Sequence, residues 1–298
     1  MTTYVLTLIG HVESTPLQSV HIEKVNQCLD QKGRIDWLAE NEACDVFIDS
    51  DLTAAAVTKK VQDVLAGCFI DVACTLAEGR RKKLLISDMD STVINQECIN
   101  EMADAIGLNS QISQITDAVI QGKIGFSEAL QQRLRLMQGM DEKVLQTVYE
   151  QRITLKSGAR TLVQTMSHDG AFCILVSGGF SYFTSRIAAR LGFHDHQSNE
   201  LIFNQGKLTG DVHHPVLGSS AKLNSLLTLC DDKNLKTSEV LAVGDGANDL
   251  KMIQGAGLGV AFHDTGSLCE QSNACIKYTD LTSLLYIQGF HKSEFILT

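Results

Sequence analysis

The 298-residue chain has only two prolines, so it encodes neither a polyproline ligand nor a proline-rich linker. It also lacks basic excess: 25 Lys and Arg against 35 Asp and Glu leave a formal net charge of −10. Duplex binding needs a basic face, and so does docking on an anionic membrane surface. Neither nucleic acid nor membrane is therefore expected as a partner. No stretch approaches the roughly 20 apolar residues of a membrane span. The opening MTTYVLTLIG has no basic start and only a short apolar run, so no signal peptide is expected. The nine cysteines form no C-x-x-C pair and are odd in number. That fits neither a zinc framework nor a disulfide scaffold, and free thiols in a reducing cytoplasm are the expectation. The G-x-x-x-x-G-K-[ST] loop is absent too, so any phosphate is held in another way.

What is present is an ordinary soluble composition, 44% hydrophobic and 20% charged, at a length that suggests about two domains. Tyr4 to Ile9 reads as a strand and Thr15 to Lys32 as a helix. Ile35 to Ala39 and Ala43 to Ile48 read as a hairpin, Leu52 to Leu65 as a helix capped by Asp51, and Phe69 to Leu76 as a strand. This βαββαβ order is that of a ferredoxin-like unit, assigned to residues 1–79. The run Gly79-Arg80-Arg81-Lys82-Lys83 reads as a solvated hinge. From residue 80 to 298 the pattern changes to a parallel α/β core. Ile112, Ile115, Val119, Ile120, Leu130, Leu134 and Leu136 recur at helical intervals, which predicts a helical insertion over about 98–155. Leu201 to Asp211 suggests a hairpin.

Three apolar strands end in polar clusters: Ser87-Asp88-Met89-Asp90-Ser91-Thr92, Ser177-Gly178-Gly179, and Gly244-Asp245-Gly246-Ala247-Asn248-Asp249. In an open parallel sheet, ligands collect beyond the carboxyl ends of the strands, so the three clusters should face one crevice. Asp88, Asp90, Asp245 and Asp249 would repel one another there, and a hard cation relieves this. Oxygen-only ligands favour Mg²⁺ over zinc. Ser177 with the Gly178 and Gly179 amides would form an anion nest, and Lys222 adds a fixed positive charge. A divalent metal, a nest, a lysine and a carboxylate nucleophile together fit phosphoryl transfer.

In that order, Asp88-x-Asp90-Ser-Thr, Val-Ser177-Gly-Gly, Lys222 and Gly-Asp245-Gly-x-Asn248-Asp249 resemble the four motifs of the haloacid dehalogenase-like phosphatases, most closely the phosphoserine phosphatase family. Glu97, the segment Gln121 to Phe126 with Arg133, and the stretch Gly206-Lys207-Leu208-Thr209-Gly210 resemble that family as well. The resemblance runs from about Lys83 to Leu285. It implies a Rossmann-like core with a helical cap, and hydrolysis of phosphoserine to serine and phosphate, a step of serine biosynthesis. It makes Asp88 the nucleophile that forms an aspartyl-phosphate, and Asp90 the acid and then the base. It implies that Mg²⁺ is held by Asp88, the Asp90 carbonyl and Asp245, with Asp249 orienting a ligand or water. Ser177, the Gly178 amide, Lys222 and Asn248 then bind the phosphoryl group or substrate. Glu97 pairs with the substrate ammonium, Arg133 with its carboxylate, and Phe126 closes over the ligand.

The rival readings are a phosphatase for another small ester, a phosphotransferase, and a non-catalytic amino-acid sensor. The amino-terminal unit resembles an ACT-type domain in element order only. Its first loop, Gly10 to Pro16, lacks the expected glycine after the proline, so dimerisation (a homodimer) or packing is at least as well supported as amino-acid binding. Gly255-Ala256-Gly257-Leu258-Gly259 lacks the dinucleotide fingerprint. His194, His196, His213 and His214 read as surface or hairpin residues rather than metal ligands.

Overall fold

A computed structural model describes residues 2–120, 123–264 and 266–297. The chain opens with β1 (Thr2–Ile9), α1 (Ser19–Leu29), β2 (Arg34–Ala39), β3 (Ala43–Ser50), α2 (Ala54–Val64) and β4 (Asp71–Leu76), the βαββαβ order expected from the sequence. The strands form one antiparallel sheet in the order β2-β3-β1-β4. Alternation along each strand sends Leu6, Leu8, Val46, Ile48 and Val72 under the helices, where they pack with Ile22, Val25, Val57 and Val61. Local boundaries differ from expectation. Thr53, not Asp51, caps α2, its hydroxyl accepting the Ala56 N–H at 3.3 Å. Phe69 has a φ of 53°, so the chain turns there and β4 starts two residues later.

The other face of this sheet buries Thr7, Asp45 and Asp71 against the C-terminal part of the chain. That overturns the reading of Arg80 as part of a solvated hinge. Its side chain is 10% exposed and pairs with Asp45 at 2.5 Å. It also donates to the Tyr286 and Ile287 carbonyls and the Thr7 hydroxyl. Arg81 reaches Asp169 and Glu294, and Lys83 reaches Glu239. Asp71 accepts four bonds of 2.7 to 3.1 Å, from the Lys277, Tyr278 and Thr279 amides and the Thr279 hydroxyl. Asp71→Asn keeps the shape but turns an N–H toward those donors. It is expected to lower the unfolding free energy by roughly 2 kcal/mol, measured by urea denaturation. An unchanged midpoint would mean that this clamp contributes nothing.

The remaining strands are β5 (Leu84–Ser87), β6 (Phe172–Phe180), β7 (Asp195–Asn199), β8 (Leu201–Asn204), β9 (Lys207–Val212), β10 (Val240–Gly244), β11 (Leu258–Phe262) and β12 (Ala274–Ile276). Six of them make a parallel sheet ordered β12-β11-β10-β5-β6-β7. Leu85, Leu175 and Val243 pack on one side, and Leu84, Ile86, Ile174, Val176 and Ala242 on the other. Burial on both faces explains why these strands are unbroken apolar runs. The polar edge strand β7 and the three-residue β12 carry no such signal and were not expected. The strand order reverses between β5 and β10, and a crevice opens at such a switch point.

Between β5 and β6 lie α3 (Cys98–Ala105), α4 (Asn109–Ile120), α5 (Phe126–Leu136), α6 (Lys143–Gln151) and α7 (Ala159–His168), as the helical spacing suggested. Gln121 and Gly122, read as part of the cap, lie outside the described residues. The β8–β9 hairpin reaches this helical insertion: Gly139 donates to the Leu208 carbonyl and Leu208 to that of Met140. Helices α8 (Ser181–Leu191), α9 (Ser219–Lys233), α10 (Leu250–Gly255) and α11 (Ser283–Ile287) complete the chain. No described helix is long and apolar enough to cross a membrane. The expectation of free thiols holds for seven cysteines but not for Cys269 and Cys275, which the turn before β12 brings into a disulfide.

Candidate active site

The three polar clusters meet at the switch point. Asp88 follows β5 and donates its amide to the Val243 carbonyl of β10 at 3.0 Å, which holds the two strand ends together. A cavity of about 120 Å³ opens there, lined by Asp88, Asp90, Glu97, Phe126, Arg133, Ser177, Gly178, Asp245 and Asn248 among others. Nine of the eleven residues expected from the sequence thus share one wall. The other two, Lys222 and Asp249, lie beneath it, fully buried. The cavity is well below the roughly 300 Å³ at the small end of drug-sized pockets.

Lys222 reaches Asp88 Oδ1 at 2.7 Å and Asp249 Oδ1 at 2.6 Å. Asp88 Oδ1 also accepts the Met89 N–H at 2.7 Å, so two donors immobilise one oxygen of this carboxylate. Asp249 Oδ2 accepts the Gly246 N–H at 3.2 Å. Asp245 is held by the Thr92 hydroxyl at 2.7 Å. One carboxylate oxygen each from Asp88, Asp245 and Asp249 lie within 4.8 Å of one another. Three buried or half-buried carboxylates against one ammonium leave excess negative charge, and an all-oxygen donor set of this kind fits a hard divalent cation.

The crowding shows in the proton affinities. Burial first, then the Asp88 charge, push Asp245 up to about 7. The same causes bring Asp249 to about 7 against the opposing pull of Lys222. Burial would lower the Lys222 ammonium, but Asp88 and Asp249 override it and leave it raised. Burial also raises Asp90 to about 6, with Cys98 opposing and Asp88 assisting. Asp90 Oδ1 accepts the Cys98 N–H at 2.9 Å, while Oδ2 faces Gly179, where an added Cβ would sit only 2.9 Å away. A Cβ on Gly178 would lie 2.9 Å from the Phe126 ring. The two glycines therefore let both the acid and the aromatic ring approach the loop. The Gly179 N–H is already given to Ser177 Oγ at 2.9 Å, so in this structure that amide orients the serine instead of standing open in the nest.

At the far end, Glu97 accepts the Ser91 hydroxyl at 2.7 Å. Part of its surface is open to solvent, yet burial of the carboxyl and then the Asp90 charge raise it to about 7. Arg133 donates to Thr116 Oγ1 at 2.9 Å, and its buried Nε has no partner among the described residues. Sequence reasoning did not assign roles to Thr92, which anchors Asp245, or to Ile99, Leu130 and Phe180, which form the apolar wall. Thr92 stands inside the first motif and was open to discovery. The apolar wall carries no signal distinct from core. His194 accepts the Cys173 N–H, and His196 contacts the Thr184 hydroxyl. Gly255 to Gly259 leads from α10 into β11 and so does not follow a strand.

A family model described as haloacid dehalogenase-like hydrolase matches residues 85–254. The chain belongs to the haloacid dehalogenase-like hydrolase family. Among relatives, phosphoserine phosphatase of Archaeoglobus fulgidus is 38% identical over 205 residues, 69% of this chain and 59% of that one. This chain thus spans under two-thirds of that relative's length. Phosphoserine phosphatase of Albidiferax ferrireducens is 41% identical over 208 residues, 68% of this chain and 88% of that one. A solved phospho-aspartyl intermediate analogue of phosphoserine phosphatase superposes with a TM-score of 0.65 at 34% identity, over 69% of this chain and 98% of that one. The family match covers the switch-point crevice and the helices above it.

Proposed function

We propose that the protein is a Mg²⁺-dependent phosphoserine phosphatase working through a phosphorylated Asp88. The observation that carries this reading is the two-ended cavity: an anion cradle with a carboxylate nucleophile at one end, Glu97 and a guanidinium with an unpaired Nε at the other. A zwitterionic amino acid bearing a phosphate complements both ends.

Lys222 and the Met89 amide hold Asp88 Oδ1, which leaves Oδ2 to attack phosphorus in line. The bond to the serine oxygen breaks as Asp90 gives that oxygen a proton. Water then attacks the aspartyl-phosphate, Asp90 takes its proton, and phosphate leaves. Ser177 and the Gly178 amide hold the phosphoryl oxygens, Asn248 reaches the substrate, and Lys222 balances the charge. Glu97 receives the ammonium and Arg133 the carboxylate. Phe126, packed over Gly178, excludes water. Asp88, the Asp90 carbonyl and Asp245 would hold the metal, and Asp249, engaged by Lys222 and Gly246, orients the arrangement. When bound, Mg²⁺ supplies charge neutralisation for the transferring phosphoryl group.

The proposed division is an ACT-like unit at 1–79 and the phosphatase at 80–298 with its cap at about 98–155. The buried Arg80 and Asp71 contacts favour a packing role for the first unit. Seven free cysteines favour a cytoplasmic location, and the Cys269–Cys275 disulfide speaks against one.

The test is phosphate release from phosphoserine, phosphothreonine, a sugar phosphate and a nucleotide, with and without Mg²⁺. Phosphoserine should be preferred, only with metal, and Arg133→Ala should lose phosphoserine turnover at least tenfold more than aryl phosphate turnover. Equal rates on all four esters, or an equal loss in the variant, would contradict the assignment.

A further inference from the structure

Asn199 sits at the end of the edge strand β7, 3% exposed, and touches neither the cavity nor any residue given a role above except through backbone. Its carboxamide is fully used. Nδ2 donates to the Gly178 carbonyl at 2.8 Å and to the Leu217 carbonyl at 3.2 Å, and Oδ1 accepts the Leu217 N–H at 2.7 Å. Two carbonyls on one side and an N–H on the other fix which end is which. Only an uncharged amide satisfies this set.

The consequence follows from the planarity of the peptide. The C=O of Gly178 and the N–H of Gly179 belong to one rigid unit and point in opposite directions. Holding that carbonyl against Asn199 aims the Gly179 N–H the other way, where it donates to Ser177 Oγ at 2.9 Å. Ser177 Oγ is then occupied as an acceptor from that side, and its own proton is free to be donated into the cavity. The two Leu217 bonds pin the segment just ahead of α9, the helix that carries Lys222. Gly218 in that segment also lies under Phe126, where a Cβ would come within 3.3 Å of the ring.

We propose that Asn199 is a positioning residue for phosphate. Through the Gly178–Gly179 peptide it sets the donor direction of the Ser177 hydroxyl, and through Leu217 it keeps the Lys222 helix in register with it. The inference rests on the reading of Ser177 as a phosphate ligand.

The experiment uses the full chain and inorganic phosphate as the probe. Asn199→Asp keeps the acceptor for Leu217 and removes both donated bonds. Asn199→Ser, with one small donor, carries the same test should the first variant fail to fold. Ser198→Ala, which removes only a contact to Thr184, controls for general loosening of β7. The expected result is an inhibition constant for phosphate raised at least tenfold. KM should rise in parallel for phosphoserine and for an aryl phosphate, kcat should change less than KM, and Ser198→Ala should show none of this. A purely structural role would lower the melting temperature and leave the phosphate inhibition constant of the folded enzyme unchanged, and that result would overturn the proposal. Phosphate inhibition is measured against whichever ester the wild type hydrolyses. A wild type inactive on phosphoserine but active on the aryl ester would therefore sink the substrate assignment and still decide the role of Asn199.

Discussion

Asp88→Asn is expected to cut phosphate release on the order of 10⁴- to 10⁶-fold, the scale of removing a covalent nucleophile. The amide is nearly the same shape, but its nitrogen cannot attack and its oxygen is a far weaker nucleophile. Stability should move the other way. Asp88, Asp245 and Asp249 crowd one ammonium, so removing one negative charge relieves repulsion in the metal-free protein. The variant should therefore melt no lower than wild type in EDTA. A variant both inactive and clearly less stable would mean that Asp88 serves as a structural anchor, and residual activity within tenfold of wild type would exclude it as the nucleophile.

Lys222→Met is expected to have the largest effect on stability. The ammonium is fully buried and touches Asp88 and Asp249 at 2.7 and 2.6 Å. A side chain of similar length without charge leaves two carboxylates unpaired, a change that costs roughly 3–5 kcal/mol at buried sites. Turnover should fall about 10²- to 10³-fold as well. The penalty should depend on pH with a definite sign. Asp249 stands at about 7 even with Lys222 present, and removing the ammonium that opposes the shift raises it further. A carboxyl raised above its unfolded value binds more protons in the native state, so stability falls as pH rises through that range. In the metal-free variant the deficit should be smallest and level below about pH 7 and should grow as the pH rises above it, where wild-type Asp249 has already released its proton and the variant's has not. Urea denaturation at several pH values measures this, and a deficit independent of pH would contradict the charge argument.

The site was legible because its strands are central. β5, β6 and β10 are buried on both faces, so each is an apolar run that stops abruptly, and the polar residues after it stand out. What the sequence hid has physical reasons too. β7 reads Asp-His-Gln-Ser-Asn, an edge strand with no apolar alternation, so neither the strand nor Asn199 announced itself. Arg80 looked like part of a solvated basic run because its partners, Asp45, Tyr286 and Ile287, are distant in sequence. A charge run reads the same whether water or a folded partner surrounds it. Thr92 lay in plain view inside the first motif, but its bond to Asp245 joins the loop after β5 to the loop after β10 and is visible only in three dimensions.

The most direct test of the account is chemical capture of the intermediate. The enzyme is mixed with phosphoserine and Mg²⁺, quenched during turnover, reduced with borohydride and digested with trypsin, and the peptide from Leu84 to Lys123 is sequenced by mass spectrometry. An acyl phosphate at Asp88 is reduced to homoserine, and that conversion at position 88, dependent on substrate, is the predicted result. Sustained turnover with Asp88 unmodified, or conversion at Asp90 or Asp245 in its place, would contradict the mechanism.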